Sequence, residues 1–285
     1  MAVVSNEMNN YTPLISIITV VYNGVSTLRN TIISVINQSY SNIEYIIIDG
    51  GSKDGTLNLI NEYRDYVSIF ITEPDKGIYD AMNKGIDHAN GEWIYFLNSD
   101  DEIFCRDTII QVFENPNSLD YDVLYGNLVC ENSLKEQFVY HSKPLKSMKY
   151  RMSFGHPACF IKSKILKAKK FSNEYRIAAD YDLLLRIYLE NKSKFYKVNC
   201  VVAKFSYGGI STTNLDLVYL ENIRVIKSNI LSSTWYYIFR FKFLHYKEKT
   251  CMQLKKMLGK RISLILIRLK YKTFKYVLGS DSIIQ

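Results

Sequence analysis

The sequence predicts an α/β fold: a mainly parallel central sheet flanked by helices, followed by a helical, basic and aromatic C-terminal extension. Nearly continuous apolar runs recur about every 25 to 30 residues in the first hundred positions, as is typical of strands buried on both faces. Segments with helical spacing separate these runs, and such repetition implies parallel strands joined by right-handed crossovers. After position 228 the composition becomes basic and aromatic.

The predicted elements alternate regularly along the first hundred residues. The strands rich in Ile, Val, Tyr and Phe are Leu14–Val21, Ile43–Ile48, Val67–Ile71 and Trp93–Leu97. Helices with apolar residues on one face are predicted at 28–36, 57–63, 78–86 and 181–190. Two later strands are predicted at 121–130 and 198–205.

Polar residues follow each of the first four predicted strands. They are Tyr22-Asn23, Asp49-Gly50-Gly51, Glu73-Pro74-Asp75 and Asn98-Ser99-Asp100-Asp101. In parallel sheets, ligands bind beyond the carboxyl ends of the strands, so these residues are expected to share one edge. Asp49 and Asp75 there favour a nucleotide site, because carboxylates accept hydrogen bonds from base N–H and ribose O–H groups.

The adjacent acids Asp100 and Asp101 emerge from a buried strand. They repel one another unless a cation neutralises them, and Mg²⁺ or Mn²⁺ on one or two carboxylates commonly completes its shell with substrate phosphates. Local sequence alone fits equally well an aspartate that caps the next helix.

Composition excludes several classes of protein. With 285 residues, of which 47% are hydrophobic, the chain is long and apolar enough to fold. Its five cysteines form no Cys-x-x-Cys pair, which argues against a zinc ribbon or a disulfide framework and suits a reducing compartment. No secretory signal and no apolar run of 18 residues is visible, so a cytoplasmic protein without a spanning helix is expected.

The C-terminal extension carries most of the net charge. From Leu231 to Gln285 there are twelve Lys and Arg residues but two acids, whereas the whole chain has a net charge of +8. Its aromatic residues alternate with bases near the start, and an apolar stretch follows at 262–269. Such segments lie in the interface of anionic membranes. The alternative is a pair of helices that pack on the domain with their charges outward.

Four motifs in order resemble the family 2 glycosyltransferases of the GT-A fold. They are Ile15-Ser16-Ile17-Ile18-Thr19-Val20-Val21-Tyr22-Asn23, Ile48-Asp49-Gly50-Gly51-Ser52-Lys53-Asp54-Gly55-Thr56, Asp75-Lys76-Gly77-Ile78-Tyr79-Asp80-Ala81-Met82-Asn83-Lys84-Gly85 and Asn98-Ser99-Asp100-Asp101. The resemblance covers residues 14–101. It continues more weakly to about residue 225, through motifs at 156–158, 179–183 and 208–211. Within the family the chain is most similar to bacterial enzymes of O-antigen, capsule and colanic-acid assembly.

The resemblance implies a site and a division of the chain. The residues that would bind the nucleotide sugar are Thr19, Tyr22, Asp49, Asp75, Asn83, Asn98 and Ser99. Asp100, helped by Asp101, would hold Mn²⁺ or Mg²⁺, and Asp180 would be the general base, with Asp182 as the alternative. Residues 1–228 would form the catalytic domain, with a nucleotide half at 12–102 and an acceptor half at 103–228. Residues 229–285 would form the extension.

The sequence departs from the family pattern at two positions. Asn98 stands where the first acid of Asp-x-Asp is expected, and Met82 where many relatives carry an arginine near the diphosphate. Lys76 or Lys84 would then meet the diphosphate charge.

Three further residues have a weaker assignment. His156 is as consistent with a structural role as with one near the acceptor. Gly208 and Gly209 fit a hairpin turn as well as a loop that closes over the donor.

The expected activity is therefore inverting, metal-dependent transfer of a sugar from a nucleotide diphosphate, most simply UDP, to a hydroxyl of a glycan or lipid-linked acceptor. The site would lie at the cytoplasmic face of the inner membrane. A nucleotidyltransferase is the nearest alternative, but the first strand is not followed by a Gly-rich phosphate loop. A nucleic-acid binder would leave the acids at the strand ends unexplained, so no nucleic-acid partner is expected.

Overall fold

The computed structural model describes residues 12–114, 116–131, 137–190, 193–206, 209 and 213–257. The chain divides into two compact units, Met1–Ser232 and Ser233–Gln285. The first unit contains the sheet, and the described part of the second is one helix.

The strands of the first unit are β1 Ile15–Val21, β2 Ile43–Asp49, β3 Ile69–Thr72, β4 Trp93–Phe96, β5 Glu102–Ile103, β6 Val123–Glu131, β7 Gln137–Tyr140, β8 Cys159–Lys162 and β9 Phe195–Ser206. Its helices are α1 Leu28–Ile36, α2 Thr56–Glu62, α3 Ile78–His88, α4 Thr108–Phe113, α5 Ser163–Lys169, α6 Ala179–Leu189 and α7 Leu215–Asn229. Short 3₁₀ turns lie at Arg64–Tyr66, Pro116–Asp120, Leu145–Lys149 and His156–Ala158. The predicted strands and helices are all present, with ends that differ by a few residues.

These nine strands form one sheet in the order β3-β2-β1-β4-β8-β6-β9-β5, with β7 paired to β6. The first four strands are parallel to one another, as predicted. β8 runs antiparallel to both β4 and β6, so it joins the four parallel strands to a mixed second half of the sheet. The fold class predicted from the sequence is confirmed, with antiparallel pairs added in the second half.

The central strands are buried on both faces. Every residue of β1 is buried, and Ile15, Ile17 and Ile18 expose none of their surface. On one face α3 packs close to β1 because Gly85 has no side chain: a Cβ there would lie 2.6 Å from Cγ2 of Ile18. Complete burial explains why these strands read as continuous apolar runs rather than as alternating ones.

The second unit contains α8, Thr234–Met257. Several large aromatic side chains on this helix are exposed, namely Trp235, Tyr236, Phe239, Phe243 and Tyr246. Within the described part of the chain, no helix combines the length and the apolar character needed to cross a membrane. The apolar stretch at 262–269 lies outside the described residues.

Candidate active site

Asp49 ends β2 with a fully buried carboxylate. Its Oδ2 accepts hydrogen bonds from the backbone N–H groups of Gly51 and Ser52, at 2.9 and 3.0 Å, and from the hydroxyl of Thr72 at 2.7 Å. Its Oδ1 has no partner in the described structure. A buried carboxylate oxygen left unpaired costs free energy. Asp49 is therefore held rigidly, with one oxygen available to an N–H or O–H donor.

Tyr22 and Asp75 lie directly beside this strand end. Gly50 makes their approach possible: a Cβ at Gly50 would collide with Oδ2 of Asp75 and lie 3.4 Å from the ring of Tyr22. The other carboxylate oxygen of Asp75 accepts from the backbone N–H of Gly77, at 2.8 Å, where α3 begins. The structure thus brings together three of the residues expected to bind the nucleotide.

Thr19 has a different environment. It lies two residues before the end of β1, is completely buried, and its hydroxyl is 3.2 Å from that of Tyr45. Its contact with the nucleotide stays a prediction.

The segment Asn98–Asp101 follows β4 and contains two unlike carboxylates. Asp101 is fully buried; its Oδ1 accepts from the backbone N–H of Ser206 at 3.3 Å, and its Oδ2 lies 3.5 Å from the amide nitrogen of Asn98. Burial, reinforced by the charge of Asp100, raises the pKa of Asp101 well above its usual value. Asp100 is partly buried, and burial raises its pKa too. Asp100 lies near Gly209, where a Cβ would be 3.8 Å from Oδ2 of Asp100.

The helix-cap explanation for these two acids is wrong. The next helix, α4, begins at Thr108, and Asp107 holds its N-cap position. Asp100 and Asp101 are instead followed by the short strand β5.

The side-chain oxygen atoms of Asn98 and Asp100 are suitable ligands for a hard cation. Oδ1 of Asn98 is buried and has no partner among the described residues, so it and the Asp100 carboxylate are two oxygen ligands of the kind that Mg²⁺ and Mn²⁺ prefer. The described residues contain no cluster of three or more His, Cys, Asp or Glu side chains that could hold a metal by themselves. A metal here would therefore need substrate phosphates to complete its shell.

A cavity of about 310 Å³ connects this segment to the first turn of α6. Its polar lining includes Asn98, His156, Arg176 and Asp180, and most of its wall is apolar. Asp180 accepts a hydrogen bond from the backbone N–H of Tyr181 at 2.8 Å, and the hydroxyl of Tyr79 lies 3.3 Å away. Burial raises the pKa of Asp180 from 3.8 to about 6, and the negative charge of Glu221 contributes in the same direction. A carboxylate with this pKa can accept a proton near neutral pH.

Glu221, on α7, fixes the chain just before α6. Its buried carboxylate accepts hydrogen bonds from three consecutive backbone N–H groups: Arg176 at 2.9 Å, Ile177 at 2.8 Å and Ala178 at 3.0 Å. None of the sequence motifs includes Glu221. The available signal was its position four residues before Val225, on the buried face of a helix.

Comparisons with known proteins identify the family of this chain. Residues 16–176 match the family model described as Glycosyl transferase family 2. The chain belongs to this family. An uncharacterized glycosyltransferase of Mycobacterium tuberculosis is 30% identical over 207 residues, which are 70% of this chain and 78% of that protein. A PGL/p-HBAD biosynthesis glycosyltransferase of Mycobacterium bovis BCG is 28% identical over 221 residues, covering 74% of this chain and 84% of the relative.

Solved structures show the same fold. S. aureus TarS in complex with UDP-GlcNAc superposes with a TM-score of 0.65 at 20% identity, over 82% of this chain and 72% of that one. A mannosyltransferase from Pyrobaculum calidifontis, in complex with GDP-Man and Mn²⁺, gives a TM-score of 0.56 at 13% identity, over 93% and 81%. The predicted GT-A fold and glycosyltransferase class are confirmed.

In this glycosyltransferase, Asp180 and Asp182 have distinct surroundings. Asp182 is buried, and its two oxygens accept from Nε of Arg186 and from the amide of Asn229, both at 2.8 Å. Neither aspartate caps α6, because its N-cap residue is Ala178. Asp182 therefore holds α6 against α7, whereas Asp180 lines the cavity.

His156 also lines the cavity of this family 2 enzyme. Burial lowers the pKa of its imidazole to about 4, so the ring is neutral at physiological pH. Its Nε2 is buried without a partner in the described structure, and the ring lies 5.3 Å from that of Phe96 and 5.6 Å from that of Phe171. A neutral imidazole among aromatic rings can exchange a hydrogen bond with a sugar hydroxyl without adding charge.

Three other predicted residues contact neighbouring protein groups. The amide of Asn83 makes two hydrogen bonds of 2.9 Å with the backbone of Phe171. Lys84 forms an ion pair with Glu73 at 2.8 Å. Ser99 packs against Gly24. Gly208 lies outside the described residues.

Proposed function

We propose that this glycosyltransferase transfers a sugar, with inversion, from a UDP-linked donor to a hydroxyl of a glycan or lipid-linked acceptor in bacterial surface-polysaccharide synthesis. The observation that carries the proposal is the cavity that joins the end of β4 to Asp180. One side of it lies next to the acids expected to hold a nucleotide diphosphate. The other side presents a carboxylate whose pKa, about 6, suits a general base.

Recognition of the base rests on Asp49. Its unpaired Oδ1 accepts a hydrogen bond from a base N–H, while Asp75, across Gly50, accepts from the base or the ribose. The UDP-GlcNAc complex of TarS, a protein of the same fold, supports UDP as the nucleotide. The paired arrangement of these two acids supports a nucleotide of some kind independently of that comparison.

The reaction needs a base on one face of the donor sugar. Asp180 takes the proton of the acceptor hydroxyl as that oxygen attacks the anomeric carbon, and a single direct displacement inverts its configuration. Tyr79 and the N–H of Tyr181 orient the carboxylate, and Glu221 fixes the turn beneath it. Asp100 and Oδ1 of Asn98 would hold Mn²⁺ or Mg²⁺, which when bound stabilises negative charge on the leaving diphosphate.

A panel of nucleotide sugars tests this assignment. Calorimetry and hydrolysis assays with UDP-, GDP- and dTDP-sugars, each with Mn²⁺, Mg²⁺ or EDTA, should show binding and slow turnover of a UDP-sugar that EDTA abolishes. Asp49→Asn should weaken the binding of uridine itself, whereas Asp182→Asn, outside the cavity, serves as the matched control. Indifference to every nucleotide sugar would contradict the proposal.

We also propose that α8 binds the surface of an anionic membrane at the cytoplasmic face. Trp235, Phe239, Phe243 and Tyr246 follow the i, i+4, i+8, i+11 spacing that places them along one side of a helix, and each exposes more than half of its surface. Lys242 lies at the edge of this stripe of four aromatic residues. In helices that lie in a membrane interface, the aromatic side chains are at headgroup level and the basic side chains contact anionic lipid.

Vesicle flotation tests the membrane proposal. The full chain should float with vesicles of phosphatidylglycerol and phosphatidylethanolamine, and 0.5 M salt should weaken the association. The double variant Phe239→Ser/Phe243→Ser should lose it, whereas a pair of serines on the opposite side, Tyr237→Ser/Leu244→Ser, should keep more of it. Equal flotation of the two double variants would contradict a role for the aromatic stripe.

A further inference from the structure

The cavity beside Asp180 is poor in positive charge. Among its lining residues, all of them described, Arg176 is the single permanent cation, and the imidazole of His156 is neutral at physiological pH. Most of the remaining wall is apolar: Ile78, Met82, Leu128, Met152, Phe154 and Phe205. Among the lining residues, Arg176 is therefore the one permanent cation with which an anionic ligand could pair.

The backbone that carries Arg176 is rigidly held. Its neighbours Tyr175 and Ile177 are buried, while Arg176 itself is exposed. The three hydrogen bonds to Glu221 begin at the N–H of Arg176, so the point from which the side chain leaves the fold is fixed. A guanidinium on a fixed backbone loses less conformational freedom when it binds a ligand.

The guanidinium of Arg176 makes no hydrogen bond or ion pair with the described residues, unlike other arginines of the same region. Arg186 pairs with Asp182 at 2.8 Å, and the guanidinium of Arg224 lies over the ring of Tyr175 at 5.2 Å. Asp180, four residues further on, is not paired with Arg176 either. The five N–H donors of Arg176, a residue of the cavity lining, are therefore available to a ligand.

We propose that Arg176 forms a phosphate subsite of this cavity, where its guanidinium binds a phosphoryl group of a substrate. The inference rests on the proposed function, because both substrates of that reaction can supply the anion: the diphosphate of the donor, or a phosphate in a lipid-linked acceptor. Arginine suits either one, since its planar fork makes two parallel hydrogen bonds to phosphate oxygens.

The test compares Arg176→Gln with Arg224→Gln, which removes a guanidinium of α7 that lies over the ring of the neighbouring Tyr175 but does not line the cavity. Calorimetry with uridine, UMP and UDP, in Mn²⁺, measures the donor side, and inhibition of donor turnover by farnesyl phosphate measures the acceptor side. If the donor diphosphate is the ligand, Arg176→Gln should lower the affinity for UDP by roughly tenfold or more, while the affinity for uridine is unchanged. If the acceptor phosphate is the ligand, UDP binding should be unchanged and inhibition by farnesyl phosphate lost.

Arg176→Lys keeps the charge but not the fork, so it should recover only part of the lost affinity. Arg224→Gln should leave both measurements unchanged. Wild-type affinities for UDP and farnesyl phosphate that survive in Arg176→Gln would overturn the subsite. A wild-type protein that binds neither uridine nor UDP would instead overturn the proposed function.

Discussion

Replacing Asp180 by Asn should abolish sugar transfer and, at neutral pH, stabilise the folded protein. The amide retains an oxygen that can accept from the N–H of Tyr181, now at 2.8 Å, and from the hydroxyl of Tyr79, at 3.3 Å. The substitution therefore removes the charge with little change in shape. Loss of the base stops proton transfer, while loss of a charge that burial disfavours benefits the native state.

The size of the stabilisation follows from the pKa of Asp180, which burial raises from 3.8 to about 6. Because the native state binds this proton more tightly than the unfolded state, the contribution of Asp180 to stability falls as pH rises from about 4 to about 6. Above that range the penalty is complete. At about 1.4 kcal/mol per pKa unit, it amounts to at most about 3 kcal/mol at pH 7.5. Partial exposure of Asp180 reduces the penalty, so about 1 to 3 kcal/mol is expected.

Denaturant unfolding of the wild type and of Asp180→Asn, at pH 7.5 and again near pH 4, measures this difference. The variant should be more stable at pH 7.5, and the two proteins should converge near pH 4, where both side chains are uncharged. Transfer or donor hydrolysis is assayed in parallel, with Asp182→Asn as the control that breaks a structural contact. An active Asp180→Asn enzyme, or one less stable than the wild type at pH 7.5, would refute the assignment of Asp180 as a buried base.

Three further predictions concern neighbouring parts of the site. The kcat of the wild type should fall about tenfold per pH unit below pH 6, as Asp180 becomes protonated. Glu221→Gln should move this acidic limb of the pH–kcat profile to lower pH, because it removes a negative charge that raises the pKa of Asp180. If the acidic limb of the profile does not move in Glu221→Gln, the role of Glu221 is purely structural. Gly50→Ala should weaken UDP binding, measured by calorimetry, because the new Cβ displaces Asp75. An unchanged affinity for UDP would contradict a contact between Asp75 and the nucleotide. Asp100→Asn should remove the stimulation of turnover by Mn²⁺ while uridine binding persists, and a variant that Mn²⁺ still stimulates fully would contradict the metal assignment.

The sequence predicted the nucleotide half of the fold well because its signals are local. Strands buried on both faces appear as continuous apolar runs, and the polar residues that end them stand directly after them in the chain. The position of β8 could not be foreseen in this way. It enters the sheet between β4 and β6, and that pairing depends on contacts between residues far apart in sequence.

The site, too, has residues that local sequence predicts and residues whose surroundings depend on distant parts of the chain. Asp180 and Asp182 occupy the same turn of a helix, and local sequence gives no physical reason to prefer either. Their surroundings differ: Asn229, far along the chain, donates to Asp182, whereas Asp180 lines the cavity. Glu221 is a similar case, since its partners are backbone groups about 45 residues earlier, which carry no side-chain signature.

The polar groups of this site are costly to the fold, which argues for a ligand rather than for incidental packing. Oδ1 of Asp49, Oδ1 of Asn98 and Nε2 of His156 are all buried without a partner in the described structure. Each such group costs about 1 to 3 kcal/mol when nothing satisfies it. Native proteins contain few unsatisfied groups, and three of the five found among the described residues fall at strand ends or along one cavity. A substrate that supplied these hydrogen bonds would recover the cost on binding, so we expect these groups to contribute to its affinity.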